Sequence, residues 1–279
     1  MANENAVVKQ PQSLAEIISS PAMKKKLQDV WGNPTIANTF ASSIISIGNG
    51  SPAMRRCDPM SIVSGAMIAA TLQLQVIPTL GQCYLIPYGN KAQLQVGYLG
   101  LLQLCMRSGQ FKRILAVPVH KGELVSGDEF NEDWVFDSSK KESDEIIGYY
   151  AKFELVNGFV KAAYWTIDKV KKHATRFSQA FRSGKGSPWQ SDFDAMAAKT
   201  VLKSILKYAP KSVEMQRALA FDQAVAKPNV SADNIEDFNI DIVEPEYIDN
   251  EPIIQDATAE EVTPGGDLFG NEPKQKEKK

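Results

Sequence analysis

The sequence is poor in the side chains that carry most metal and covalent chemistry. Its 279 residues hold two histidines, His120 and His173, and three cysteines, Cys57, Cys83 and Cys105, with no C-x-x-C pair. A structural zinc site needs about four closely organised Cys or His ligands, so the widely spaced cysteines read as reduced, buried thiols. There is no G-x-x-x-x-G-K-[ST] loop; Ser183-Gly184-Lys185-Gly186 is only a basic glycine-containing loop, which argues against an ATP-driven enzyme. No G-x-G-x-x-G dinucleotide fingerprint occurs around Tyr98 to Gly109, and neither histidine has a serine or cysteine partner by spacing. Long apolar runs are also missing. Leu99 to Met106 is interrupted by Gln103, and nothing approaches the ~18 residues of a membrane span or a signal peptide's pattern. These absences read as a soluble, cytoplasmic protein without a cofactor.

What is present is an uneven charge. The formal net charge of -2 hides a basic body, with 26 Lys or Arg against 17 Asp or Glu in residues 20–230. Residues 231–279 carry 4 bases and 14 acids, and between Ser231 and Gly270 there are 12 acids and no base. A basic body with an acidic extension suggests a polyanion binder whose tail competes for the same surface or recruits partners. Asp267-Leu268-Phe269 is a small acidic-apolar element in that tail.

The pattern along the chain alternates between helix and hairpin signals. Residues 1–12 are small and polar and are expected to be disordered. A helix is expected over Ser13 to Val30, with Ser20-Pro21 as a kink or second start, and another over Pro34 to Gly48 capped by Asn33. Asp58-Pro59 starts a largely buried helix that runs to Leu74. Gln82 to Pro87 and Ala92 to Val96 make a β-hairpin, followed by a helix from Tyr98 to Arg107 and a strand from Phe111 to His120. A short strand pair is expected around Trp134 and Phe136. Asn157-Gly158 between Ile147–Val156 and Phe159–Ile167 is the strongest hairpin signal. A basic helix from an Asp168 cap to about Ala180, a loop from Phe181 to Pro188 and a long helix from Trp189 to Tyr208 follow. From Lys227 apolar residues thin out among acids, so residues 13–226 are expected to be one domain and 227–279 a flexible acidic tail; Ile240 to Ile248 could form a short docked element.

The densest basic segment is Lys169 to Arg217, with eleven bases and three acids, Asp192, Asp194 and Glu214. Lys199, Lys203 and Lys207 are four apart, so each advances only ~40° around a helix and the three form one stripe. Ala195, Ala198, Val201, Leu202 and Ile205 group on the opposite side, which predicts a solvated lysine row over a buried apolar face. Lys169, Lys171, Lys172, Arg176, Arg182 and Lys185 offer a second bank, and a cleft between two banks would bind phosphates with little sequence preference. Phe177, Phe181 and Trp189 are interleaved aromatics, open to use as core anchors or base contacts. Arg107, Lys112 and Arg113 add charge in the middle of the chain; Arg107 equally suits a helix C-terminus. Two rival readings stay open: a magnesium-dependent nuclease using Asp128, Glu129 and Glu154 from the acidic region between Glu123 and Glu145, and a scaffold that binds an acidic protein tail.

The ordered segments Gly81-Gln82-Cys83-Tyr84-Leu85-Ile86-Pro87-Tyr88, Leu94-Gln95-Val96-Gly97-Tyr98-Leu99-Gly100, Arg107-Ser108-Gly109-Gln110, Gly127-Asp128-Glu129-Phe130, Pro188-Trp189, Met196-Ala197-Ala198-Lys199-Thr200 and Leu206-Lys207-Tyr208-Ala209-Pro210 resemble the RecT family of phage single-strand annealing proteins. They span roughly residues 58–215, and their order makes the match specific. Leu72 to Pro78 departs from the family's more usual Gly-Leu-x-Pro-like sequence. The resemblance implies an ATP-independent, non-enzymatic protein that coats single-stranded DNA, pairs it with its complement and assembles as rings or helical filaments. It further implies a phage or prophage setting in a bacterial cytoplasm, a partner 5′ to 3′ exonuclease and contact with the host single-strand-binding protein. The implied fold is α+β, a β-hairpin and antiparallel sheet packed against helices, distantly Rad52-like. Arg107, Lys199 and Lys207 take the family's basic positions.

Overall fold

The computed structural model describes residues 12–184, 188–210, 212–222, 224–239 and 243–246. The expectations for the N-terminus before residue 12 and for the tail after 246 lie outside these residues.

Prolines preceded by short polar residues start the N-terminal helices. After α1 (Leu14–Ser19), closed by a reciprocal Ser13–Glu16 capping box, come α2 (Pro21–Trp31), α3 (Pro34–Gly50), α4 (Pro52–Arg55) and α5 (Pro59–Thr71). Ser20, Asn33, Ser51 and Asp58 each accept a backbone N–H of the first turn, while proline fills the first helical position, where no N–H is needed. Pro21 is therefore a second start and not a kink. α5 is nearly all buried; α1, α2 and α3 pack on one side of it and the hairpin β1 (Cys83–Tyr88) and β2 (Lys91–Val96) on another.

The Gly97 to Gly109 segment is α6 (Tyr98–Arg107) with its two flanks, and close backbone contact sets its angle. A Cβ on Gly100 would lie 2.0 Å from the Gln82 carbonyl oxygen, and one on Gly97 2.0 Å from that of Gly81. Glycine is needed here for approach. We expect Gly100→Ala to push α6 off the hairpin and cost ~1–3 kcal/mol by overpacking, read as a lower urea midpoint at unchanged slope.

The second sheet is antiparallel, in the order β3 (Phe111–His120), β6 (Ile146–Leu155), β7 (Val160–Thr166), with β4 (Leu124–Asp128) and β5 (Asp133–Phe136) as a separate hairpin between β3 and β6. The alternation of β6 divides its sides: Tyr149, Ala151, Phe153 and Leu155 are buried inward, while Tyr150 points out. Phe136 and Trp134 of the β4–β5 hairpin cover that outer side, with Phe136 4.6 Å from Tyr150 and 6.3 Å from Tyr164.

Three helical segments differ from expectation. α7 (Ile167–Phe177) is capped by Thr166, whose Oγ1 accepts from the Lys169 N–H at 3.3 Å, so Asp168 sits inside the first turn. The helix expected to about Ala180 ends at Phe177, and a short helix, α8 (Gln179–Ser183), extends into the expected loop, so residues 181–183 are helical. The expected long helix is split into α9 (Pro188–Ser191) and α10 (Phe193–Leu206), because the Asp192 carboxylate captures the Ala195 N–H at 3.1 Å and restarts the helix. α11 (Val213–Phe221) completes the set.

α10 is the centre of the molecule, packed against β3, β6 and β7 on one side and close to α6 and the β1–β2 hairpin on the other. The core runs continuously from the N-terminal helices through α10 to the sheet. Packing also continues past the expected boundary at 226. Leu94 N–H donates to the Ala224 carbonyl, β8 (Val225–Ala226) pairs with β9 (Pro245–Glu246), and a 3-10 turn over Ala232–Asp237 lies against α2. Ile235, Phe238 and Val243 are buried, and Lys91 pairs with Glu246 at 2.9 Å. Average composition hid these few anchors, so the packed body reaches at least 246.

Candidate nucleic-acid interface

β7 delivers the chain into α7, whose Val170 and Ala174 are buried while Lys171, Lys172, Thr175 and Arg176 face solvent. α8 then folds back. The Arg182 guanidinium donates to the carbonyls of Thr175 (3.2 Å) and Arg176 (3.3 Å), closing the C-terminus of α7 with a cation. Lys171, Lys172, Arg176 and Arg182 line, with Asp168 and Thr175, an open cavity of 480 Å³.

These four cations differ from the lysines that carboxylates neutralise elsewhere among the described residues. Among the described residues none of them is in an ion pair, whereas Lys112 pairs with Glu154 at 2.6 Å, Lys169 with Glu129 at 3.2 Å, and Lys161 with Glu132. Cations that neighbouring carboxylates leave unneutralised keep their full attraction for an external polyanion.

The α10 lysines are arranged otherwise than their spacing predicts. Lys199 is only 3% exposed, and its Nζ lies 2.9 Å from Oδ1 of Asp222, itself buried at the end of α11. Lys203 donates to the other carboxylate oxygen, and the Val96 N–H at the end of β2 donates to Oδ1 at 2.9 Å. Burial alone would raise the Asp222 pKa, but Lys199 and Lys203 outweigh it and hold the carboxyl below its ordinary range. Burial pushes the Lys199 pKa down, opposed by Asp222. The solvated row is therefore corrected: α10 is packed on both sides, so the lysine face meets protein. Lys199 is a buried tie between helix and hairpin, Lys203 is partly exposed with its amine on Asp222, and only Lys207 is fully at the surface, 5.0 Å from the Tyr208 ring.

The remaining predicted residues are dispersed. Arg107 is exposed, and its guanidinium donates to the Leu72 carbonyl at 2.5 Å and Gln73 Oε1 at 3.3 Å, so it closes the end of α5 and not of its own helix. Lys112 and Arg113 lie exposed on β3. Trp189 is 6% exposed and packs on Phe193 (5.5 Å) and Phe181 (6.1 Å), which makes it a core anchor. Lys185 lies outside the described residues. The nuclease candidates do not converge: Glu129 and Glu154 are each paired to a lysine, and Asp128 holds its own turn through Asn131 and Phe130. Among the described residues no group of three His, Cys, Asp or Glu could hold a metal ion. The three thiols are buried, and burial pushes Cys105 up to about 12 and Cys83 further. Among the described residues no helix is long and apolar enough to cross a membrane.

Two features escaped the sequence reading. Asp222 stands alone after the apolar Ala218 to Phe221, and no local spacing ties it to α10. The other is a row of mutually tilted rings, with Trp165 5.6 Å from His173 and His173 4.6 Å from Phe177.

Fold and surface thus define a mixed α/β protein, antiparallel sheets packed on helices, with a basic helix face that no carboxylate among the described residues pairs. The model of the RecT family matches residues 38–239, and the chain belongs to that family. It is 40% identical over 268 residues to the "Uncharacterized protein YqaK" of Bacillus subtilis (strain 168), covering 96% of this chain and 89% of that protein. It is 29% identical over 215 residues to "Protein RecT" of Escherichia coli (strain K12), covering 74% of this chain and 78% of that one.

Proposed function

We propose that this protein binds single-stranded DNA and anneals complementary strands without ATP, as the RecT resemblance implies. The observation that carries the reading is the set of unpaired cations around the 480 Å³ cavity in a chain of this family. Lys171, Lys172, Arg176 and Arg182 take backbone phosphates, with Lys207, Lys169, Arg107, Lys112 and Arg113 as outlying contacts. Phosphate neutralisation releases counterions and lowers the repulsion between two strands, while base pairing supplies the sequence check. The protein itself makes and breaks no bond.

The same reading includes assembly into rings or helical filaments with a distantly Rad52-like protomer, so that adjacent subunits hold strands in register. It also includes a phage or prophage setting in a bacterial cytoplasm, a partner 5′ to 3′ exonuclease and the host single-strand-binding protein. The acidic segment after residue 246 is proposed to meet such partners. The test is annealing of two labelled complementary oligonucleotides in nucleotide-free buffer. Faster pairing with the protein than without it is expected; an unchanged rate, or cleavage of either strand with magnesium, sinks the reading.

A further inference from the structure

The three aromatics interleaved with the basic segment have separated in the fold. Trp189 is buried and Phe181 half-buried, but Phe177 is 66% exposed at the end of α7. Its ring is backed by His173 at 4.6 Å, which in turn rests on Trp165 at 5.6 Å. The Arg176 guanidinium lies 5.1 Å from the Phe177 ring, and Lys169 lies 5.1 Å from that of Trp165. Burial, then Lys203 and Arg176, push the His173 pKa down, so at neutral pH it supports Phe177 as a neutral ring.

We propose that Phe177 is a base-stacking residue, its ring taking the face of a nucleobase in a single strand whose phosphates lie on Lys171, Lys172, Arg176 and Arg182. The inference rests on the DNA-binding reading above and adds a contact to the base that the cations do not make. An exposed ring with the Arg176 guanidinium beside it, on the helix that carries Lys171 and Lys172, suits a polyanion that carries flat π-faces. A stacked base offers its face to the protein and keeps its pairing edge free, so the contact is compatible with annealing. A backed ring also loses little freedom on binding.

The experiment uses the full chain with an oligothymidylate and an abasic strand of equal length, titrated at several salt concentrations. Phe177→Ala is expected to lose roughly 5- to 100-fold in affinity for oligothymidylate, with its salt slope unchanged and abasic binding spared. Phe177→Trp should restore affinity, and its added emission should be quenched by oligothymidylate only. Phe130→Ala, removing a 100% exposed ring from the acidic β4–β5 turn, should change nothing. Wild-type affinity in Phe177→Ala, or an equal loss on both strands, overturns the stacking role while leaving the DNA reading intact. A wild-type protein that binds neither strand overturns both.

Discussion

Asp222→Ala should be among the most destabilising single substitutions in the protein, costing ~3–5 kcal/mol, because it strands a buried charge. The Asp222 carboxylate serves Lys199, Lys203 and the Val96 N–H at once, and its side chain has no exposed surface. Without it the Lys199 ammonium has no counter-charge at 3% exposure. Against a total stability of ~5–15 kcal/mol, such a loss shifts a urea midpoint far. Lys199→Met should cost less, since Asp222 keeps Lys203 and Val96. The double variant Asp222→Leu, Lys199→Met should recover much of the loss, because an apolar pair of similar volume removes the desolvation cost. A double variant as unstable as Asp222→Ala would show that the interaction is not this charge pair. The pH dependence has a definite sign. The Asp222 pKa is lowered in the folded state, so its stabilisation is present above the ordinary carboxylate range and fades as pH falls below it.

Much of the fold is legible in sequence because it is written in local terms. Proline after Ser, Asn or Asp starts α2, α3 and α5, and Asn157-Gly158 makes the β6–β7 hairpin, since one or two residues decide each; the short α4, begun by Ser51-Pro52 in the same way, is not among the expected helices. The site is less legible. A four-residue spacing shows that Lys199, Lys203 and Lys207 share a face of α10, but not whether water or protein lies beyond it. That depends on Asp222, 23 residues after Lys199, and on the hairpin that α10 crosses. The docking of the described residues between 227 and 246 is equally non-local: Ile235, Phe238 and Val243 are anchors only because the body offers places for them. For the same reason the motif position Lys199 reads as a DNA contact in the sequence, while in the fold it is a buried tie; Arg107, open in the sequence to a helix cap or a phosphate contact, closes α5 from an exposed position. A binding defect on substituting Lys199 would need a stability measurement before it could be assigned to DNA.

The surface of α7 and α8 permits a cleaner test of binding. The variant Lys171→Gln, Lys172→Gln, Arg176→Gln, Arg182→Gln removes four charges while glutamine keeps a good helix former at each position. Exposed charges that pair with no described carboxylate contribute little to stability, so the variant should lose little more than the ~0.3–1 kcal/mol of the Arg182 cap on α7, and its urea midpoint should fall only slightly. Its DNA affinity should fall far more. Each phosphate contact on a single strand adds about 0.7 to the slope of log affinity against log salt, so four lost contacts should flatten that slope by roughly 2.8. The gap between wild type and variant should then narrow roughly 50-fold between 50 and 200 mM salt, which follows from the same relation. Loss of affinity at all salt concentrations with an unchanged slope would mean that the four residues shape the surface without touching phosphate. An unchanged affinity would move the interface elsewhere, to Lys207 or to Lys112 and Arg113 on β3. The slope therefore separates contact from scaffold, which a single-salt affinity cannot do.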